Sequence, residues 1–209
     1  MTGLQKREEE AIGARLLREY ESLFDGTRCP WRVDIRLLAE QVLHLKIRHA
    51  HLSPDRKIWG LTSTEPLTLE LFDGENWQKI SLDGATVCLE KDLLSEGALS
   101  ARYRFTLAHE AAHHLTAKGT HGTDEGRANR LAAQLLMPKE YIGRALFCQG
   151  LSCPVSYANP YVLPDLFSRL SGAASMLGVS VRALLIRLTD LGWLLRDESV
   201  CPQMFWRTG

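Results

Sequence analysis

The chain has 209 residues, 45% of them hydrophobic, and its 25 basic and 25 acidic side chains leave a formal charge of zero. That length and apolar content suffice to bury a core without disulfides, and the charge balance argues against a polyanion as the main partner. Five cysteines, odd in number and without CxxC spacing, favour reduced thiols in a cytoplasm over a disulfide framework.

The opening stretch, MTGLQKREEE, is charged and helical and lacks the apolar centre of a cleavable signal. No apolar run reaches the length of a membrane span, so a membrane protein and a secreted digestive protease are both disfavoured. Ile12, Leu16, Leu17, Tyr20, Leu23 and Phe24 recur at helical spacing and predict an amphipathic first helix ended by Asp25-Gly26. Asp34 is placed to cap a second helix carrying Ile35, Leu38, Ala39 and Val42, which runs into a strand over Leu45 to Arg48. Four short β-rich stretches follow, at 57–62, 67–72, 79–82 and 85–89, separated by Asp-Gly turns, and predict a small antiparallel sheet.

Ser100 is a plausible cap for a helix running through Lys118, with Gly119 positioned to end it. Two further helices are expected over 124–136 and 138–147, the second opening on Pro138, whose missing N–H costs nothing in a first turn. The stretch 148–164 holds three prolines and reads as a long ordered loop. Its Cys148 and Cys153, spaced C-x4-C, read as structural residues and not as zinc ligands. From Pro164 to Leu195 the pattern is a helix pair broken at Gly178-Val-Ser180. The domains expected are residues 1–147 and, packed on them, a loop and helical segment over 148–209.

His109-Glu110-Ala111-Ala112-His113 is an HExxH sequence. Residues four apart on an α-helix share one face, so the two imidazoles can grip one metal ion. Glu110 sits about 100° around the helix from His109. There it can act as a general base toward a water molecule. A third ligand is expected from the next helix, where Glu125 precedes Ala128, Asn129, Ala132, Ala133 and Leu136 on a small apolar face. Antiparallel packing then completes a two-His, one-Glu site with a position left open for water. Asp124 is the nearest competitor as ligand, but its short side chain better suits a helix cap. His114 points off the ligand face, and His121 reads as a loop histidine. Metzincin spacing requires glycine at 116 and histidine at 119, where Thr116 and Gly119 stand, so that class is excluded. A His/Glu site suits Zn2+, with Mn2+ or Fe2+ as alternatives.

Arg104-Phe-Thr-Leu-Ala-His-Glu110, Glu125-Gly-Arg-Ala-Asn129 and Leu131-Ala-Ala-Gln-Leu-Leu-Met-Pro138 resemble the signature blocks of the ImmA/IrrE metallopeptidases. The resemblance implies an α+β fold with a minimal, thermolysin-like zincin core: a small antiparallel sheet, the HExxH helix and a C-terminal helical pair. It also implies His109, His113 and Glu125 as zinc ligands and Glu110 as catalytic base. The activity implied is metalloendopeptidase cleavage of a protein, with a helix-turn-helix repressor as the expected partner. Two departures stand out: Ala112 replaces the glycine common before the second ligand, and the link from His113 to Glu125 is short for the group.

The segment 170–191 has the rhythm of a helix-turn-helix, but its second helix offers only Arg182 and Arg187 to phosphates, with Asp190 opposing. Packing or protein recognition, also open to Trp193 and Trp206, is the preferred reading over direct nucleic-acid binding. The alternative function is a metal-binding regulator that acts through these helices without proteolysis. Arg104, Tyr141, Tyr157 and Tyr161 are the residues considered for stabilising an oxyanion.

Overall fold

The computed structural model describes residues 3–24, 30–53, 55, 57–72, 75–97, 99–116, 124–156 and 163–195. Among these residues the fold is α+β, dominated by helix. The chain divides into two compact units at Pro138/Lys139, nine residues before the expected boundary, so the fifth helix belongs to the second unit.

In the first unit, α1 (Gly3–Glu21) buries Leu16, Leu17 and Tyr20 on one stripe. The Tyr20 hydroxyl accepts a hydrogen bond from the Asp34 N–H at 2.9 Å, and so tethers the start of the next helix. Asp34 caps α2 (Ile35–Leu37) through Oδ1, which accepts from the N–H groups of Arg36 and Leu37. A π-helical turn over Leu38–Val42 extends it. His44 then takes a left-handed conformation and redirects the chain into β1 (Lys46–Ala50). The predicted end of α1 at Asp25-Gly26 lies outside the described residues.

The β-region corrects the expectation of one antiparallel sheet. β1, β2 (Gly60–Ser63) and β5 (Thr86–Glu90) form a three-stranded mixed sheet in the order β1-β5-β2. β5 is parallel to β1, with Lys46 opposite Thr86, and antiparallel to β2, with Gly60 opposite Leu89. β3 (Leu67–Phe72) and β4 (Trp77–Leu82) form a separate antiparallel hairpin. β5 suits the centre of a mixed sheet because all five residues of Thr-Val-Cys-Leu-Glu are buried, as in strands covered on both faces. The hairpin's Leu69, Leu71, Ile80 and Leu82 pack with Leu61 on Ala50, Leu52 and Cys88.

Glu90 is the buried acid at the end of β5. Its carboxylate accepts from the Leu52 N–H at 2.7 Å and lies 2.9 Å from His51 Nδ1, which closes the passage from β1 toward β2.

The sheet packs against α3 (Ala101–Thr116), whose first turn is capped by the Ser100 hydroxyl, accepting from the Tyr103 N–H. α4 (Glu125–Leu136) lies against α3 through Ala112, Ala128 and Leu131, with Ile12 of α1 packed on this cluster. Side chains this small let two helix axes approach closely. Glu9 fastens α1 to α4: it is 1% exposed and takes two bonds from the Arg130 guanidinium, at 2.9 and 2.7 Å, with Arg127 at 3.9 Å.

In the second unit, α5 (Lys139–Cys148) packs on α6 (Leu163–Leu177), and α6 meets α7 (Val181–Asp190) at 95°. Gly178, at φ 66°, ends α6. Its N–H bonds to Ser175 O and that of Val179 to Ala174 O, the two closing bonds of a Schellman cap. Ser180 caps α7 by accepting from the Ala183 N–H. Two short parallel strands, β6 (Val155–Ser156) and β7 (Leu194–Leu195), tie part of the expected long loop to the chain beyond α7. Among the described residues no single helix is long and apolar enough to cross a membrane.

Candidate metal centre

The two histidines of α3 are brought together as their spacing predicts. His109 Nε2 and His113 Nε2 lie 3.0 Å apart, with the rings nearly perpendicular at 85°. Phe105, one turn before His109, lies nearly parallel to its ring at 6.2 Å between centroids and limits where that ring can turn.

α4 supplies the third group. Glu125 Oε2 is 3.2 Å from His109 Nε2, and Oε1 is 3.4 Å from His113 Nε2, so the carboxylate straddles both imidazoles. Asp124 does not compete with it, because its Oδ1 accepts from the Arg127 N–H at 2.9 Å as the cap of α4. Capping therefore puts the short acid just outside the helix and the longer one on its first turn, facing α3.

The donor set fits zinc. Tetrahedral coordination with bonds of 2.0–2.1 Å puts ligand atoms about 3.3–3.4 Å apart. The three observed separations, 3.0, 3.2 and 3.4 Å, lie close to that edge length. The histidine rings are largely buried, whereas the Glu125 side chain is 62% exposed and leaves one side of the site open to solvent.

Glu110, between the two histidines on the same helix, meets the sheet. It is 7% exposed, and its Oε2 accepts from the Thr62 hydroxyl of β2 at 2.7 Å. The same hydroxyl lies 2.8 Å from the backbone carbonyl of Glu110. Gly60, two residues earlier on β2, is so close that a Cβ there would come 2.6 Å from the Glu110 Cγ and Oε1. A cleft of about 710 Å³ joins the two groups, with Trp59, Gly60 and Thr62 on the strand side and His109, Glu110 and Glu125 on the helix side.

Other sequence expectations resolve as follows. His114 is half-buried and does not line the cleft. Arg104 is corrected as an oxyanion contributor: its Nη2 donates to the Val33 carbonyl at 3.0 Å, away from the cleft lining, and burial brings its pKa down to about 10. Tyr141 belongs to the second unit. His121, Tyr157, Tyr161 and Trp206 lie outside the described residues. Cys148 and Cys153 are free thiols and join no metal-holding group among the described residues.

A second group of metal-ligating types, His51, Glu90 and Asp92, also converges. There both Glu90 oxygens already accept backbone N–H groups, of Leu52 and Asp92, which reads as a sealed strand end.

Sequence reasoning missed Thr62 and Gly60. The one signal available was a glycine inside a β-stretch, which marks close approach by another group.

Comparison with known proteins gave no matching family model and no matching curated protein.

Proposed function

We propose that the chain is a zinc-dependent endopeptidase that cleaves a specific intracellular protein. The observation that carries the reading is the His109, His113, Glu125 triangle at zinc-ligand spacing beside a buried Glu110, all opening on one cleft. Zinc held there supplies Lewis-acid polarisation of a carbonyl and acidification of water. His109, His113 and Glu125 hold it, with α4 bringing the carboxylate to the two rings.

Glu110 performs the proton transfers. It accepts a proton from the water whose oxygen bonds to the scissile carbonyl carbon, then delivers that proton to the amide nitrogen as the C–N bond breaks. The resemblance of residues 104–138 to the ImmA/IrrE signature blocks supports a minimal zincin core and a helix-turn-helix repressor as substrate.

The alternative, action through the C-terminal helices on DNA, loses support at α7. Arg187 is buried there, leaving Arg182 and Asp190 as the exposed charges of that helix. DNA affinity grows with the number of phosphates neutralised, and one exposed arginine on α7 neutralises few.

The test is metal content of the purified protein by mass spectrometry, with Glu110→Gln, His113→Ala and Glu125→Ala alongside. About one zinc per chain, retained in Glu110→Gln and lost in the other two, is the expected result for a three-ligand site. Glu110→Gln should also fail to cleave any protein that the wild type cleaves. A wild type that stays metal-free when zinc is supplied defeats the reading.

A further inference from the structure

The proposed chemistry needs the Glu110 carboxylate aimed at one place, yet nothing on α3 holds it there. What touches it comes from β2. Gly60 and Thr62 are two residues apart on a strand, so they face the same side, toward α3.

Thr62 places one hydroxyl within 2.7 Å of Glu110 Oε2 and 2.8 Å of the same residue's carbonyl oxygen. The hydroxyl's one proton is shared between these two oxygens and so ties the end of the glutamate side chain back to its own backbone. Threonine suits the task because its β-branch restricts χ1 and keeps the hydroxyl aimed. Gly60 contributes by lacking a side chain: the space a Cβ would fill is taken by Glu110 Cγ, Cδ and Oε1, at 2.6, 2.8 and 2.6 Å. Glu110 Oε1 accepts no hydrogen bond among the described residues, and Glu110 lines the cleft.

We propose that Gly60 and Thr62 are positioning residues for Glu110, Thr62 holding Oε2 and Gly60 making room for the carboxylate, so that Oε1 is the oxygen that receives the proton. This rests on the peptidase reading and adds to it the part of the sheet that orients the base.

The experiment uses the zinc-loaded full chain and its Thr62→Ser, Thr62→Val and Gly60→Ala variants. The readouts are zinc stoichiometry, steady-state hydrolysis of a mixture of internally quenched decapeptides, and crystal structures. Because the donor acts on the base and not on the ligands, zinc should remain at wild-type stoichiometry in every variant. In Thr62→Val, kcat should fall roughly 10- to 100-fold, the size of one lost hydrogen bond to a charged group. KM should stay within about twofold, since the bond aids the transition state and not substrate binding. Thr62→Ser, which keeps the hydroxyl, should recover kcat to within about threefold.

The crystals should show the Glu110 carboxylate swung from β2 in Thr62→Val, in place in Thr62→Ser, and displaced in Gly60→Ala although Thr62 is intact. Thr62→Ala replaces Thr62→Val if the latter does not fold. Wild-type kcat in Thr62→Val, or a Glu110 carboxylate unmoved in its crystals, overturns the proposal. If the wild type hydrolyses none of the peptides, the peptidase reading fails on that probe. The crystals still decide whether Thr62 holds the carboxylate.

Discussion

Replacing Arg130 by methionine tests the fastening of α1 to α4, and its cost follows from an asymmetry in burial. Glu9 is 1% exposed, whereas Arg130 and Arg127 keep 29% and 26% of their side-chain surface in contact with solvent. Arg130→Met removes both short bonds and leaves a buried carboxylate with Arg127, at 3.9 Å, as its remaining cation among the described residues. Breaking a buried pair from one side costs about 3–5 kcal/mol, and the residual attraction of Arg127 puts this case near 3. Glu9→Gln strands the guanidiniums instead, but they can turn to water, so about 1–1.5 kcal/mol is expected. At about 2–4 °C per kcal/mol for a chain of this size, Tm falls by about 6–12 °C in the first variant and by about 2–6 °C in the second. Urea and thermal unfolding followed by circular dichroism, in zinc-free buffer so that metal linkage does not enter, measures both. Glu9→Leu combined with Arg130→Met should recover most of the loss, because no buried charge then remains unpaired. If Arg130→Met destabilises no more than Glu9→Gln, the buried carboxylate is not the costly partner and the reasoning fails.

Cys88 is buried, and its thiol is pushed up to about 11, mainly by burial, with Glu90 adding to the effect and Arg48 opposing it. Iodoacetamide at pH 8 with peptide mapping should label the exposed Cys148 and leave Cys88 intact until denaturant is added; equal labelling contradicts the assignment. Burial, and then Arg36, holds the His49 imidazole below its ordinary value of 6.5, so the unfolded chain binds its proton first as the pH falls. Stability should therefore decline as the pH drops from about 6.5, and His49→Gln should flatten that part of the unfolding free-energy profile; identical profiles count against the shift. Asp124→Ala should cost about 1 kcal/mol through the lost cap and weaken zinc binding by loosening the first turn of α4, while Asp124→Ser retains most of both. Loss of zinc as complete as in Glu125→Ala would instead make Asp124 a ligand.

The clustering of His109, His113 and Glu125 was legible because it depends on local geometry. The i, i+4 spacing of His109 and His113 sets their common face, and the small residues after Glu125 show which side of α4 meets α3. The cap at Asp124 was also readable, since a cap needs a short side chain. The mixed sheet was not. Strand pairing is non-local, and Thr86–Glu90 reads like any short β-rich run until its burial on both faces is known. Thr62 escaped for the same reason: it lies 48 residues from Glu110, and nothing in its neighbours announces a hydroxyl aimed at a helix.

The strand order β1-β5-β2 also governs how the chain must assemble. The central strand is the last of the three to leave the ribosome, so β1 and β2 emerge with no sheet partner. Both remain open edges until residues 86–90 arrive between them, whereas β3 and β4, close together in sequence, can pair at once. Such late closure through distant contacts is slow relative to hairpin formation, and it exposes unpaired backbone in the meantime. Because β2 carries Gly60 and Thr62, their contacts with Glu110 are fixed only when that last strand is inserted. A chain in which β5 has not inserted would thus leave the Glu110 carboxylate without its Thr62 partner, whatever the state of its hairpin.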